Sequence, residues 1–281
     1  MSVEGVHDQH AVAADAGNAW FWLILLGLLA GFYLLGVCSP RHKQPWPWHR
    51  TLLWTAGVIT AAAALIGPTA QNAAGDFPQH ILAHLLLGML APLLLVLGAP
   101  VTLLLRALPT AAAKRVTRLL GSPPLRIVTH PVTALALNTG GLWLLSTTDL
   151  HTATHDQGTV AALIWFHMLA AGYLFTAAII GLDPVRHRPS WMTRAVVLIA
   201  SMAGHAILAK WLYAHPPTGF PTEEAERGAK LMYYGGDAVD LLIVIIFCAQ
   251  WYRWTRPRPV RASFGPENAG PLPDPIPHRS R

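Results

Sequence analysis

Six ionisable residues lie inside apolar stretches of this chain, where such side chains are unusual: His80, His84, His167, His205, Asp237 and Asp240. Neutral imidazole is a common ligand of copper, zinc and iron, and a carboxylate can ligate the same ion or orient the ring. In hydrocarbon these side chains are costly, since an Asp at a helix centre costs about 2.5–3.5 kcal/mol. We therefore interpret the six residues as candidate ligands of a metal ion, which could be copper, zinc or iron.

The spacing of these residues along predicted helices favours one shared site. At about 1.5 Å per residue, His167, His205 and Asp237 each lie roughly 10–12 Å below the outer end of their apolar segment. His80 and His84 are four residues apart, which places both on one face of a helix, and Asp237 is three residues before Asp240. Three or more helices would thus bring polar groups to a similar depth.

Two other roles remain open for these residues. A buried histidine can simply bond to a backbone carbonyl or a hydroxyl on a neighbouring helix. Asp237 and Asp240 could instead relay protons, which is a usual role of carboxylates within a membrane.

A second pair of histidines, His151 and His155, lies between Asp149 and Asp156 in a predicted outer connection. If this segment is helical, both rings share a face and could capture a cation from the acidic outer surface. A solvated loop without a binding role is the alternative interpretation.

The composition predicts the elements that must position these residues. Hydrophobic residues make up 53% and charged residues 12% of 281 positions, and the apolar residues form blocks about as long as a membrane-crossing helix. We expect an all-α, polytopic membrane bundle of seven transmembrane helices, near residues 20–38, 52–66, 80–105, 131–145, 159–182, 191–213 and 231–251.

The basic residues predict the orientation of this bundle. Of the 20 Lys and Arg residues, 17 fall on alternate connections or in the C-terminal tail, and short cytoplasmic loops are the ones enriched in Lys and Arg. The N-terminus is therefore expected outside and the C-terminus in the cytoplasm. The net charge of +6 is interpreted as attraction to anionic membrane lipid, and no basic patch interleaved with aromatic residues indicates a nucleic-acid partner.

The chain is expected to form one membrane domain with two flexible ends. We predict an extracytoplasmic arm at residues 1–18, the seven-helix domain at 19–254, and a disordered, cytoplasmic Pro- and Arg-rich tail at 255–281. The third apolar block should kink or end near Leu97, because Pro92 and the Gly98–Pro100 segment interrupt it. Cys38 and Cys248 are expected to be packing residues.

Several motifs resemble one protein family. The run His80-Ile-Leu-Ala-His84, continuing to Leu97-Gly98-Ala99-Pro100, resembles the third-helix signature of the polytopic, Bacillus-type CtaG family of cytochrome c oxidase assembly factors. Trp165-Phe166-His167-Met168 and Tyr234-Gly235-Gly236-Asp237 are similar to later regions of that family. The resemblance covers about residues 76–251.

The resemblance implies a non-enzymatic protein of the bacterial plasma membrane, which handles copper for a haem-copper oxidase and has the oxidase subunits as partners. Two alternatives belong to other functional classes. A membrane electron-transfer protein could hold haem between His167 and His205, and a proton-coupled transporter could use Asp237 and Asp240.

Overall fold

The computed structural model describes residues 3–41, 44–67, 69, 75–148, 158–183, 188–217 and 219–256, with backbone alone for residues 3–18. Within these ranges all regular secondary structure is helical. In chain order the α-helices are α1 (Val3–Val37), α2 (Trp48–Leu65), α3 (Phe77–His84), α4 (Ala91–Leu97), α5 (Pro100–Ala107), α6 (Thr110–Leu120), α7 (Pro123–Val128), α8 (Pro131–Leu135), α9 (Gly141–Thr147), α10 (Gly158–Ile180), α11 (Trp191–Ala214) and α12 (Thr222–Thr255).

Five helical segments in the described part of the chain are long and apolar enough to cross a membrane, so the protein is a multi-pass membrane protein: Ala19–Val37, Phe77–Ala107, Gly158–Ile180, Trp191–Ala214 and Thr222–Thr255. The two other predicted spans do coincide with helices, α2 and the α8–α9 region. Both of these are shorter or less apolar than the five, because α2 begins with Trp-His-Arg and α8 is only five residues long. The count of seven spans and the orientation of the termini stay predictions.

The predicted N-terminal arm is helical from Val3 onward and continues into the first membrane segment as α1. Nearly all of the predicted C-terminal tail, from residue 257 onward, lies outside the described residues, as do His151 and His155. The division of the chain into an arm, a membrane domain and a tail remains a prediction.

Local sequence signals explain where the helices that carry the histidines begin. The Asp76 carboxylate accepts a hydrogen bond from the Gln79 backbone N–H at 3.1 Å, and a proline follows within the first two positions of α3. The Ser190 hydroxyl accepts from the Thr193 backbone N–H at 3.0 Å at the start of α11. Both are N-caps, which satisfy N–H groups that the helix itself leaves without an acceptor.

The predicted interruption of the third apolar block is confirmed. The helix ends at Leu97, and Ala99 adopts a left-handed conformation (φ 50°) before Pro100 starts α5. Two further irregularities were not predicted: π-helical turns at Leu85–Leu90, directly after His84, and at Ala136–Gly140. Single π-turns within α-helices often occur at functional sites, because the inserted residue changes which side chains face the interior.

Three clusters of buried apolar residues form the core, and polar residues lie between two of them. The cluster around Phe77, Ile81 and Leu212 lies towards one end of the bundle, and that around Phe175, Ile179 and Phe247 towards the other. Three buried ionisable groups lie where these two clusters approach each other: His205 is between their residues on α11, His84 is beside Leu85 of the first cluster, and Asp240 is beside Val239 of the second. The fold therefore places a polar layer inside an apolar bundle.

Candidate functional site

The site is centred on two imidazole rings from different helices. The rings of His84, at the end of α3, and His205, in the middle of α11, have centroids 6.1 Å apart and planes inclined by 22°. The two residues are only 7% and 6% exposed. Both ring nitrogens of His84 and Nε2 of His205 are buried without a hydrogen-bond partner in the described part of the chain. Burying such groups unpaired costs roughly 1–3 kcal/mol each, so these nitrogens are the strongest indication of a ligand.

Both rings line a small enclosed space, which we call the inner cavity. Its volume is about 30 Å³, enough for an ion or about one water molecule. Thr139 and Ser201 form a hydroxyl–hydroxyl hydrogen bond of 3.1 Å beside it. The polar side chains that line it come from five segments of the chain: His84, Asn138, Thr139, Thr176, Ser201, His205 and Asp240.

Both π-helical turns contribute to this cavity. Gly88 and Met89 come from the first turn, and Asn138 and Thr139 from the second. At the first turn the chain packs very closely against α10, since a Cβ on Gly172 would lie 2.2 Å from the Gly88 carbonyl oxygen. The absence of a side chain at Gly172 thus lets α10 close one wall of the inner cavity.

The position of the His205 ring depends on a glycine of α12. A Cβ on Gly236 would lie 2.2 Å from Cε1 and 2.6 Å from Nδ1 of His205, closer than real Cβ contacts allow. Gly236 is buried four residues before Asp240, so the same face of α12 seats the ring and supplies the carboxylate. This role for Gly236 was not recognised from the sequence, although it lies in the Tyr234–Asp237 motif.

His80 lies one turn before His84 and faces a larger space, the outer cavity. This cavity has a volume of about 370 Å³. The residues that line it include three histidines, two methionines and a tryptophan: His80, His84, His215, Met168, Met232 and Trp211. The His80 ring packs against Trp165, with centroids 5.7 Å apart. His84 lines both cavities and therefore lies at their junction.

Met168 and Met232 are potential ligands that the sequence reasoning missed. Both are buried, and thioether sulfur is a soft donor that suits Cu(I). The methyl carbon of Met168 reaches the same point beside Gly88 as the His84 ring. The spacing from Met168 to Gly172 and Phe175, all buried, is a helical period that could have indicated the inward face of α10.

His167 does not lie in the inner cavity. It is exposed, and its Nε2 donates to the Leu137 carbonyl oxygen at 3.1 Å in the second π-helical turn. Neighbouring helical residues point about 100° apart, so when Met168 faces the interior His167 faces sideways. His167 and His84 nevertheless line a common side cavity of about 250 Å³.

The two aspartates of α12 also differ in how exposed they are. Asp240 is 4% exposed and lines the inner cavity, whereas Asp237 is exposed on the outer face of α12. Asp237 is still close enough to interact electrostatically with His205 and Asp240. It can therefore influence the site without lining it.

The six predicted ligands are thus not assembled into a single cluster. Within the described ranges, no group of three or more His, Cys, Asp or Glu side chains is arranged to hold a metal ion. The structure brings His84, His205 and Asp240 to one small cavity, and His80 to the adjoining one. The predicted entry residues His151 and His155 lie outside the described residues, so the ligand set remains a prediction.

Comparison with known proteins identifies the family. The model of the cytochrome c oxidase caa3 assembly factor family matches residues 31–254, which include both π-helical turns and all residues of the two cavities. The chain belongs to this caa3 assembly factor family. The sequence resemblance to polytopic CtaG proteins is confirmed.

The chain is also similar to larger mycobacterial proteins. It is 29% identical over 251 residues to an uncharacterised protein of Mycobacterium leprae, covering 82% of this chain and 37% of that protein. It is 34% identical over 193 residues to an uncharacterised protein of Mycobacterium bovis, covering 66% of this chain and 28% of the relative. The chain thus spans about a third of the length of these relatives. No solved structure matches this caa3 assembly factor family member.

Proposed function

We propose that this protein aids maturation of a haem-copper oxidase by holding copper, as cargo, between His84 and His205. The observation that carries the proposal is the pair of buried imidazoles, three of whose four ring nitrogens are buried with no hydrogen-bond partner among the described residues. Two imidazole nitrogens ligating one ion from opposite sides, at about 2.0 Å each, would place the ring centroids about 6 Å apart. The separation of 6.1 Å fits this arrangement.

Copper fits the chemistry of the lining better than a harder cation does. Cu(I) accepts neutral imidazole and thioether ligands, whereas Mg²⁺ and Ca²⁺ require mainly oxygen ligands. The inner cavity offers two imidazoles, and the outer cavity adds His80, Met168 and Met232. Asp240 would balance the charge of the ion or orient an imidazole.

The two cavities support a route for the ion. We propose that copper enters through the outer cavity, binds first near His80 and Met168, and passes to His205 through His84, which lines both spaces. The outer cavity would open on the extracytoplasmic side of a bacterial plasma membrane, and oxidase subunits would receive the ion there. In this role the protein carries out no catalytic step.

The size of the inner cavity, which His205 lines, does not favour haem held between His167 and His205. The inner cavity, at about 30 Å³, is far smaller than the several hundred Å³ that cofactor-sized ligands occupy. His167, the second proposed axial ligand, lies on the other side of the π-helical turn and bonds to Leu137. The transporter alternative, in which Asp240 carries protons, is distinguished by the experiment below.

The proposal is tested by metal analysis and by oxidase maturation in the same set of variants. The purified protein should bind one Cu(I) under reducing conditions, and His84→Ala and His205→Ala should each lose it. In cells that lack the native protein, His84→Ala should insert normally in the membrane but leave the oxidase without its full copper content. His49→Ala is the matched control, because His49 is exposed at the start of α2.

The outcomes of these experiments distinguish copper transfer through this site from a role in oxidase assembly that does not depend on it. Normal copper content and activity of the oxidase in cells carrying His84→Ala would show that copper does not pass through this site. Loss of oxidase with unchanged copper binding would instead indicate a scaffold that acts by protein contact. Proton uptake into vesicles that depends on Asp240, without any copper binding, would favour the transporter.

A further inference from the structure

A third large cavity, which we call the basic cavity, lies at the opposite end of the bundle from the outer cavity. It has a volume of about 490 Å³ and is bordered by α7, the segment before α8, the end of α10 and the segment before α11. It meets α10 at Ala177 and Ala178, whereas the outer cavity meets that helix at Met168. Its size lies within the range of about 300–1,000 Å³ that is typical of ligand-binding cavities.

Among the residues that the structure describes, Arg126 and Arg188 bring positive charge to the basic cavity, and no carboxylate lines it. His130 lines it as well; its Nδ1 accepts a hydrogen bond from the Val132 backbone N–H at 3.3 Å, so Nε2 is the ring nitrogen that can donate to a ligand. Both ion pairs in the described part of the chain, Arg227–Glu223 and Lys230–Glu226, are in α12. An anion is the ligand that this set of charges would attract.

The backbone at the end of α10 positions one of these cations. Gly181 has a positive φ of 55°, and a Cβ there would lie 2.9 Å from Nη2 of Arg188. The guanidinium group therefore lies directly against the helix end, where a left-handed glycine leaves room for it. Asp183, two residues on, is engaged elsewhere, because it accepts hydrogen bonds of 2.8 and 2.7 Å from the backbone N–H and hydroxyl of Thr102.

Helix α6, next to the basic cavity, is amphipathic in the way of helices that lie along a membrane surface. In α6, Lys114, Arg115 and Arg118 share one face, and Val116, Leu119 and Leu120 share the other. No residue of α6 or α7 is buried in the bundle, and Leu119 is 62% exposed. Basic residues on one face and apolar residues on the other are typical of interfacial helices on anionic lipid.

We propose that the basic cavity binds the phosphate group of an anionic phospholipid, held by Arg126, His130 and Arg188. Ile127, which is 65% exposed at the edge of the cavity, would contact the glycerol and acyl chains. Basic pockets between membrane helices on the cytoplasmic side bind lipid headgroups in this way, and the predicted orientation places this end of the bundle there. Free phosphate from the cytoplasm could bind to the same side chains. The experiment below therefore tests phospholipid and inorganic phosphate separately.

The test uses the full-length protein in a neutral detergent, stripped of native lipid. Phosphatidylglycerol, phosphatidylcholine and inorganic phosphate are added separately, and bound molecules are counted by native mass spectrometry. The protein should retain one phosphatidylglycerol per chain and no phosphatidylcholine. Arg126→Gln combined with Arg188→Gln should weaken this binding about 30-fold, since each basic residue contributes substantially to the attraction of an anionic lipid.

A matched control removes the same charge from the neighbouring helix. Arg115→Gln combined with Arg118→Gln should leave the single retained lipid in place, because neither residue lines the basic cavity. Equal weakening in the two double variants, or equal retention of phosphatidylcholine, would overturn the proposal. Binding of inorganic phosphate that displaces phosphatidylglycerol completely would overturn the lipid assignment in favour of free phosphate. If the double variant unfolds, Arg126→Gln alone replaces it, because Arg126 is an exposed residue of α7.

Discussion

At the end of the bundle that holds the inner and outer cavities, the ionisable groups that line them are imidazoles and a carboxylate, and the nearest sulfur atoms are thioethers. At the opposite end, the polar groups are the guanidinium groups of Arg126, Arg188 and Arg194. Imidazole, thioether and carboxylate groups can receive a cation because none of them repels it, whereas guanidinium groups repel cations and attract anions. The contrast shows that one apolar bundle can keep two opposite electrostatic environments on the same helices, α10 and α11.

The two ends also differ in how completely their buried polar atoms are paired. Arg194, which is fully buried, donates from Nε and Nη2 to the carbonyl oxygens of Ile179 and Ile180 at the end of α10 and packs over the Trp191 ring, and only its Nη1 has no partner in the described part of the chain. Neither ring nitrogen of His84 has a hydrogen-bond partner among the described residues. The arginine is therefore interpreted as a structural residue and the histidine as a ligand-binding one, and the following variants test that distinction.

The largest effect is expected from Arg194→Gln. The shorter, neutral side chain would leave the carbonyl oxygens of Ile179 and Ile180 without their charged donor, which should lower the free energy of unfolding by about 3 kcal/mol. The measurement is thermal unfolding in detergent, compared with Arg115→Gln as an exposed control. Copper binding at low temperature should be unchanged, and a strong loss of copper without loss of stability would contradict the structural assignment.

The next largest effect is expected from Gly236→Ala. The added methyl group would displace the His205 ring, since it would lie 2.2 Å from Cε1. Displacing one ligand should weaken Cu(I) binding about 30-fold, within the range seen when the groups that orient metal ligands are removed. Gly31→Ala is the control, because nothing lies within 4 Å of a Cβ there. Equal copper affinity in the two variants would show that the His205 ring position is not required.

A smaller effect should distinguish the two aspartates of α12. Asp240→Asn should weaken Cu(I) binding about tenfold, because Asp240 lines the inner cavity and its negative charge is removed. Asp237→Asn, on the exposed face, should weaken it less than about threefold, since exposed charges act through a higher effective dielectric. Both affinities are measured by competition with a Cu(I) chelator. A reversed order would place the ion outside the inner cavity, on the outer face of α12.

The smallest effect is expected from Met168→Leu. The substitution removes a soft thioether while keeping apolar volume, so Cu(I) binding should weaken about fivefold and Zn(II) binding should not change. Met192→Leu is the control, because Met192 is 73% exposed at the start of α11. Parallel weakening of both metals would mean that Met168 contributes packing rather than ligation.

Sequence patterns were sufficient to predict the helices and the family, but not which side chains line the inner cavity. The apolar blocks predicted helices near their observed positions, and Gly98–Pro100 predicted the break after Leu97, because hydropathy and proline act locally. The two π-helical turns carry no comparable sequence signal, since a single inserted residue leaves the apolar composition unchanged. Predicting which side chains line the inner cavity requires knowing those turns.

The sequence by itself determined that ionisable residues lie within apolar helices, and how far apart along each helix they are, because that spacing follows from counting residues. Only the tertiary structure decided which of them face one another. It placed Met168 rather than His167 inside, and Asp240 rather than Asp237, because the rotation of each helix is set by its close contacts with neighbours, such as Gly172 on Gly88 and Gly236 on His205. A rotation by one residue, about 100°, moves a side chain from the interior to the surface of the bundle without changing its depth.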